Sequence, residues 1–138
     1  MWLVLDLKSE RPIYLQIRDQ VVEAIASGRL APGSALPPIR QLAIDFGINL
    51  HTVHKAYETL RDEGFVQLRR KVGATVLATP ETPVAASDWP LRLRTLLAEP
   101  VARQIASDEI VAVCQRVLDE FASERSERSE RIGRLKEG

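Results

Sequence analysis

Ten side chains between Arg40 and Lys71 carry most of the chain's concentrated chemistry. They are Arg40, then Asn49, Leu50, His51, Thr52, His54 and Lys55, then Arg69, Arg70 and Lys71. None is a carboxylate, and most can donate hydrogen bonds. Arg40 offers a planar fork that matches a guanine edge or a phosphate. Thr52 suits a phosphate or base contact, and His54 can donate to a base acceptor. Lys55 neutralises phosphate, and Leu50 has the bulk to pack on a thymine methyl. Arg69, Arg70 and Lys71 suit the backbone or the minor groove. These are the residue types of a surface that lies along a DNA duplex. Phosphate contacts there position the protein, while His54, Arg40 and His51 read sequence.

Each group also has a plainer use. Arg40 could salt-bridge Asp45 or Glu58. His51 and His54 stand three apart on one helix face, a spacing that could hold a metal, but no third ligand lies nearby. Arg69 to Lys71 could be an ordinary solvated hairpin tip. Tyr57 reads as core. Cys114 falls on an apolar stripe as a packing residue, with a sensing thiol as its alternative and Arg116 as its nearest basic neighbour. There is no Gly-Ser-Gly elbow, no phosphate loop and no metal-spaced Cys/His set. The chain therefore reads as no enzyme, with no cofactor and no metal.

Bulk composition sets looser bounds. The chain has 138 residues, 45% hydrophobic and 5% aromatic, so its core must be mostly aliphatic. Nineteen Lys/Arg balance nineteen Asp/Glu. Residues 1–80 hold ten basic against eight acidic, and residues 81–138 hold nine against eleven. A nucleic-acid surface must therefore come from local arrangement of charge. A single cysteine excludes an internal disulfide. No stretch approaches the ~20 apolar residues that cross a bilayer, and the start has no leader pattern, so a cytoplasmic protein with no membrane partner is expected.

The elements that must position these residues follow from periodicity. Trp2 to Leu7 is an apolar run, either a strand or a segment lying on the core. Ile13 to Ser27 is an amphipathic helix with Ile17, Val21 and Ile25 on its inner face and Gly28 as its stop. Arg29 to Pro38 is a connection. A second helix, Ile39 to Phe46, buries Leu42, Ala43 and Phe46. Gly47 makes a tight turn, and Asn49 caps a third helix, Leu50 to Glu63, with Val53, Ala56, Tyr57 and Leu60 as its buried stripe. Phe65 to Leu68 and Ala74 to Ala78 form a hairpin with a basic tip, a wing.

Beyond a proline-rich linker, Leu91 to Leu97 and Val101 to Ile105 read as one helix or a broken pair, with Pro100 as kink or boundary. Ser107 caps a last helix whose stripe is Ile110, Val111, Cys114, Val117, Leu118 and Phe121. Ser-Glu-Arg then repeats three times from Ser123 to Arg131. The pairs Glu124–Arg128, Glu127–Arg131 and Glu130–Arg134 support a helical extension, each by ~0.2–0.5 kcal/mol, with disorder as the alternative.

Four stretches resemble the DNA-binding domain of the GntR family of bacterial transcription regulators. They are Pro12-Ile13-Tyr14-Leu15-Gln16-Ile17; Gly28-Arg29-Leu30-Ala31-Pro32-Gly33; Leu36 to Ala43; and Thr52 to Leu60 with Gly64. The rest is too short for a large effector domain and is similar to the small YtrA-like branch. The resemblance implies an α+β, mostly helical fold: a winged helix-turn-helix domain followed by a short two-helix C-terminal dimerisation region. The expected division is 1–79 for the DNA-binding domain, 80–90 for the linker and 91–138 for the dimerising helices with a charged tail. Pro38 stands where the family usually has Ser, Leu50 where it often has a basic or small polar residue, and Lys71-Val72-Gly73 where the wing tip usually has two glycines.

The expected partners are double-stranded DNA and a second copy of the chain, and a small-molecule effector is left open. The function implied is a homodimeric, sequence-specific repressor on a palindromic operator, with transporter operons as targets. The alternative is a winged-helix module that binds protein without specific DNA binding, which salt dependence would distinguish.

Overall fold

The structure is a computed structural model that describes residues 3–70, 73–78 and 88–137. Five helices and one hairpin follow in order: α1 Ile13–Ala26, α2 Ile39–Phe46, α3 Leu50–Asp62, β1 Val66–Arg69, β2 Gly73–Val76, α4 Trp89–Ala102 and α5 Ser107–Glu137. Contacts divide the chain into two compact units, Met1–Thr82 and Pro83–Gly138.

The first unit is built around α3. Its stripe of Val53, Ala56, Tyr57 and Leu60 is fully buried and packs on α1, α2 and β1. The opposing residues are Ile17, Val21 and Ala24 of α1, Leu42 and Ala43 of α2, and Val66 of β1. Burial of one such aliphatic side chain stabilises the fold by about 1.5–3 kcal/mol, so the position of α3 is heavily over-determined. On α1 the buried positions are Gln16, Ile17, Val21 and Ala24, and Ile25 is only half-buried. The small Ala24 lets α1 approach its neighbours where the longer Ile25 was expected. Phe46 is likewise only half-buried, at the last residue of α2.

Polar contacts fix the geometry further. The buried Gln16 accepts the Asp6 N–H at 2.9 Å and donates to the carbonyls of Asp6 and Arg11, both at 2.9 Å. Gln20 holds the backbone of Val4 in the same way. With Leu3 buried, the N-terminal segment lies on the core rather than forming a strand; Trp2 lies outside the described residues. Arg18 grips Glu63 through Nε–Oε1 at 3.1 Å and Nη2–Oε2 at 2.6 Å. Those bonds hold its guanidinium above the ordinary range against the opposing effect of burial. This clasp ties α1 to the end of α3.

β1 and β2 pair antiparallel, Val66 opposite Val76 and Arg69 opposite Gly73. The segment expected to be a plain connection also pairs with the hairpin. Ala35 bridges Thr75, and Leu36 N–H donates to the Ala74 carbonyl at 2.9 Å. Ladder bonds from a loop across sequence leave no local signature.

The Tyr57 hydroxyl donates to the Pro37 carbonyl at 2.6 Å. It pins the entry of α2 to α3, and burial pushes this hydroxyl well above the ordinary tyrosine range. An acid held neutral by the fold contributes stability below the unfolded value of about 10, and that stability is lost as pH rises above it. Tyr57→Phe is expected to cost ~1 kcal/mol at neutral pH. In urea melts, the gap between variant and wild type narrows as pH rises past about 10.

In the second unit, α4 runs as one helix through Pro100, which sits in its last turn. α5 begins at Ser107 and Ile110 N–H bonds the Ala106 carbonyl, so Ala106, not Ser107, holds the cap position. The tail is helical to Glu137. Of its three expected pairs, Glu130–Arg134 forms among the described residues, at 3.9 Å. No side chain of α4 or α5 is buried.

Candidate nucleic-acid interface

The turn between α2 and α3 is set by Gly47, whose φ of 62° lies in the left-handed region that glycine adopts without a Cβ penalty. Its N–H closes α2 on Ala43 and Ile44. Asn49 then caps α3, its side-chain oxygen accepting the His51 N–H at 2.8 Å. That oxygen serves the helix, which leaves the amide NH2 as the group Asn49 can offer outward.

With one face of α3 buried, the other is free. Leu50, His51, His54 and Lys55 are exposed and Thr52 is half-buried. Arg40, on α2, is exposed beside them. It has no hydrogen-bond or ion-pair partner among the described residues, and both partners that could have claimed it are engaged. Asp45 accepts from Gln41 at 2.7 Å, and Glu58 faces His54 Nδ1 at 3.2 Å. Arg40, Ala43, Ile44, Gly47, Ile48 and Leu50 line a shallow depression of about 290 Å³. Ile44 stands 73% exposed on its rim.

A second depression, of about 420 Å³, opens on the other side of the start of α3, lined by residues that include Tyr14, Asn49, Thr52 and Lys55. The Lys55 ammonium lies 4.1 Å from the Tyr14 ring centroid. Such a cation–π contact, worth about 0.5–1 kcal/mol at an exposed site, holds a long flexible side chain in one place. In the wing, Arg69 Nη2 donates to Gln67 Oε1 at 3.2 Å, and Arg70 is exposed at the turn. Lys71 lies outside the described residues.

The structure thus gathers Arg40, Asn49, Leu50, His51, Thr52, His54 and Lys55 around one end of α3, and the hairpin carries Arg69 and Arg70. Sequence reasoning missed two neighbours, Tyr14 and Ile44, and the pairing of a third, Glu58, with His54. Tyr14 comes from another helix, and Ile44 lies outside the buried set of α2 and has no polar group to offer, so neither carried a signal. Glu58, four residues after His54, did carry one in its spacing. Among the described residues no cluster of three His, Cys, Asp or Glu could hold a metal ion, and no helix is long and apolar enough to cross a membrane.

Comparison with known proteins bears on this arrangement. The family model described as "Bacterial regulatory proteins, gntR family" matches residues 13–76. The HTH-type transcriptional repressor YtrA of Bacillus subtilis is 30% identical over 122 residues, covering 88% of this chain and 90% of YtrA. The HTH-type transcriptional regulator Rv1152 of Mycobacterium tuberculosis is 34% identical over 84 residues, covering 61% of this chain and 69% of that protein. Among solved structures, YtrA from Sulfolobus acidocaldarius, a GntR-family transcription factor, aligns with a TM-score of 0.57 at 40% identity, covering 74% of this chain and 99% of that one.

Proposed function

Because the chain belongs to the GntR family of bacterial regulatory proteins, a non-enzymatic DNA-binding family, and is a YtrA-like transcription regulator, we propose that it is a homodimeric repressor of a near-palindromic operator. The observation that carries this reading is the outer face of α3 with Arg40 beside it, an array of donors in which the strongest has no internal partner. α3 lies in the major groove through its N-terminal half, with Arg40, His51 and His54 toward base edges and Leu50 against a thymine methyl. Asn49, Thr52 and Lys55 meet phosphate, and Arg69, Arg70 and Lys71 reach the backbone or minor groove.

One such module buries too little surface to be both tight and specific. Two copies, with half-site centres one DNA turn or a multiple apart, supply the rest. Residues 1–79 bind DNA, 80–90 link, and 91–138 dimerise; the lack of any buried side chain in α4 and α5 supports a partner for them. The repressor sense follows the named activity of Bacillus subtilis YtrA. A transporter operon as target follows the family resemblance, and a cytoplasmic location follows from acting on the chromosome.

Binding of the fragment upstream of the protein's own gene, followed by fluorescence anisotropy across salt, tests this. With about six phosphate contacts per dimer, affinity falls roughly 10³-fold between about 50 and 200 mM salt. Lys55→Ala lowers the slope by about one per copy and weakens all sequences evenly, by about tenfold. Failure to bind any such fragment, together with capture of a protein whose affinity holds across that range, would instead indicate docking of protein on the apolar rim of Ile44 and Leu50.

A further inference from the structure

Among the described residues, the depression between α2 and the start of α3 has one polar side chain in its lining, Arg40. Ala43, Ile44, Gly47, Ile48 and Leu50 make up the rest and offer none. Ala43 is buried and Ile48 half-buried, while Ile44 and Leu50 stand exposed at the edge. A single exposed aliphatic side chain is ordinary. Here two of them flank a guanidinium that has no side-chain partner among the described residues, on the continuation of the free face of α3. The complement of such a surface is a ligand that sets an apolar group beside a pair of acceptors.

Base edges in the major groove carry one apolar group, the 5-methyl of thymine. They carry one pair of acceptors on a single base that an arginine fork spans, N7 and O6 of guanine. Over the other bases, two aliphatic side chains strip water from amino and carbonyl groups without replacing the hydrogen bonds. Resting on the DNA-binding role of α3 given above, we propose that Ile44 and Leu50 together form a methyl seat. With Arg40 beside it, the depression reads a 5-methylated pyrimidine next to a guanine. The contact of Leu50 with a methyl thereby gains a second wall from α2, and Ile44 becomes a specificity-determining residue. Cytosine lacks this methyl group and 5-methylcytosine has it. Methylation of a cytosine at this position therefore fills the seat as thymine does, and operator affinity depends on that modification.

The experiment begins with selection of bound sequences from a random DNA pool by the full chain. Uracil then replaces thymine in the selected operator, one position at a time. Uracil lacks only the methyl group, so every hydrogen-bonding edge is kept. One methyl-dependent position is expected in each half-site, next to the guanine whose preference is lost in Arg40→Ala. Uracil there weakens binding roughly fourfold, the transfer value of one buried methyl group, and roughly 15-fold when both half-sites are changed. A cytosine–guanine pair at the same position gains the same factor when its cytosine is 5-methylated. Leu50→Ala and Ile44→Ala each shrink both ratios below about twofold, and Leu50→Met, which keeps an apolar wall, retains them. Both residues are exposed, so the variants stay folded, which their melting curves check.

The inference is overturned by uracil matching thymine at every position, or by a methyl preference that survives both alanine variants. It is also overturned by a methyl-dependent position that does not adjoin the Arg40-dependent guanine. Failure of wild type to bind any DNA would overturn the repressor reading together with this one. Specific binding with no methyl dependence overturns this one alone.

Discussion

Arg40→Ala is expected to weaken operator binding by about 30- to 1,000-fold while leaving the protein as stable as before. Two features of Arg40 set these outcomes. It is exposed and makes no side-chain hydrogen bond or ion pair among the described residues, so its removal changes folding stability by less than about 0.5 kcal/mol. Its guanidinium also shares a depression with Leu50 at the start of α3, where a bidentate pair with guanine is worth about 1–3 kcal/mol. A dimer uses two copies, and well-separated contacts add, so the lower half of that range, about 1–2 kcal/mol per copy, gives roughly 2–4 kcal/mol per operator. Arg40→Lys separates base reading from phosphate contact. Lysine keeps the charge but loses the fork, so restored affinity with an unaltered sequence profile means that Arg40 touches only phosphate. An Arg40→Ala protein that binds its operator like wild type would remove the main support for the interface.

What was legible in the sequence is what local spacing dictates. The α3 stripe, the Gly47 turn and the Asn49 cap each depend on residues within a few positions of one another, and all three form as their pattern requires. Contacts between elements were not legible. Nothing in the spacing of α1 says that Tyr14 receives Lys55, or that Ala24 rather than Ile25 faces the core. The Ala35–Thr75 bridge joins segments forty residues apart. Pro100 shows a further limit. Its missing N–H and its ring against the preceding turn forfeit one bond near the end of the helix, yet α4 passes through where a break was one expectation and ends two residues later at Ala102. For the site, residue types gave the candidates, while their competition for partners decided which are available. Gln41 takes Asp45 and His54 takes Glu58, and only the folded arrangement leaves Arg40 without either.

The same reasoning gives the second large effect. Apolar side chains that find no cover within their own unit need a partner surface. Val111, Val117 and Leu118 of α5 are 64%, 41% and 62% exposed, beside half-buried Ile110, Cys114 and Phe121. The steps Ile110, Cys114, Val117, Phe121 are four, three and four, a spacing that lets helices of two copies seat side by side. Most helical stability in proteins comes from packing of an apolar face, and α5 buries no side chain within its own chain. The double substitution Val117→Asp with Leu118→Asp removes no contact buried within one chain but sets charge into this seam. Sedimentation is expected to shift from dimer to monomer at about 10 μM, a working range for associations of nanomolar to micromolar strength. Operator affinity falls by 100-fold or more, since the second half-site no longer benefits from an effective concentration on the order of millimolar. Binding to a single half-site stays at the wild-type level, and the melting of the first unit is unchanged, because α3 and its core are untouched. A variant that remains dimeric, or a wild-type chain that is monomeric at these concentrations, would place the partner surface elsewhere.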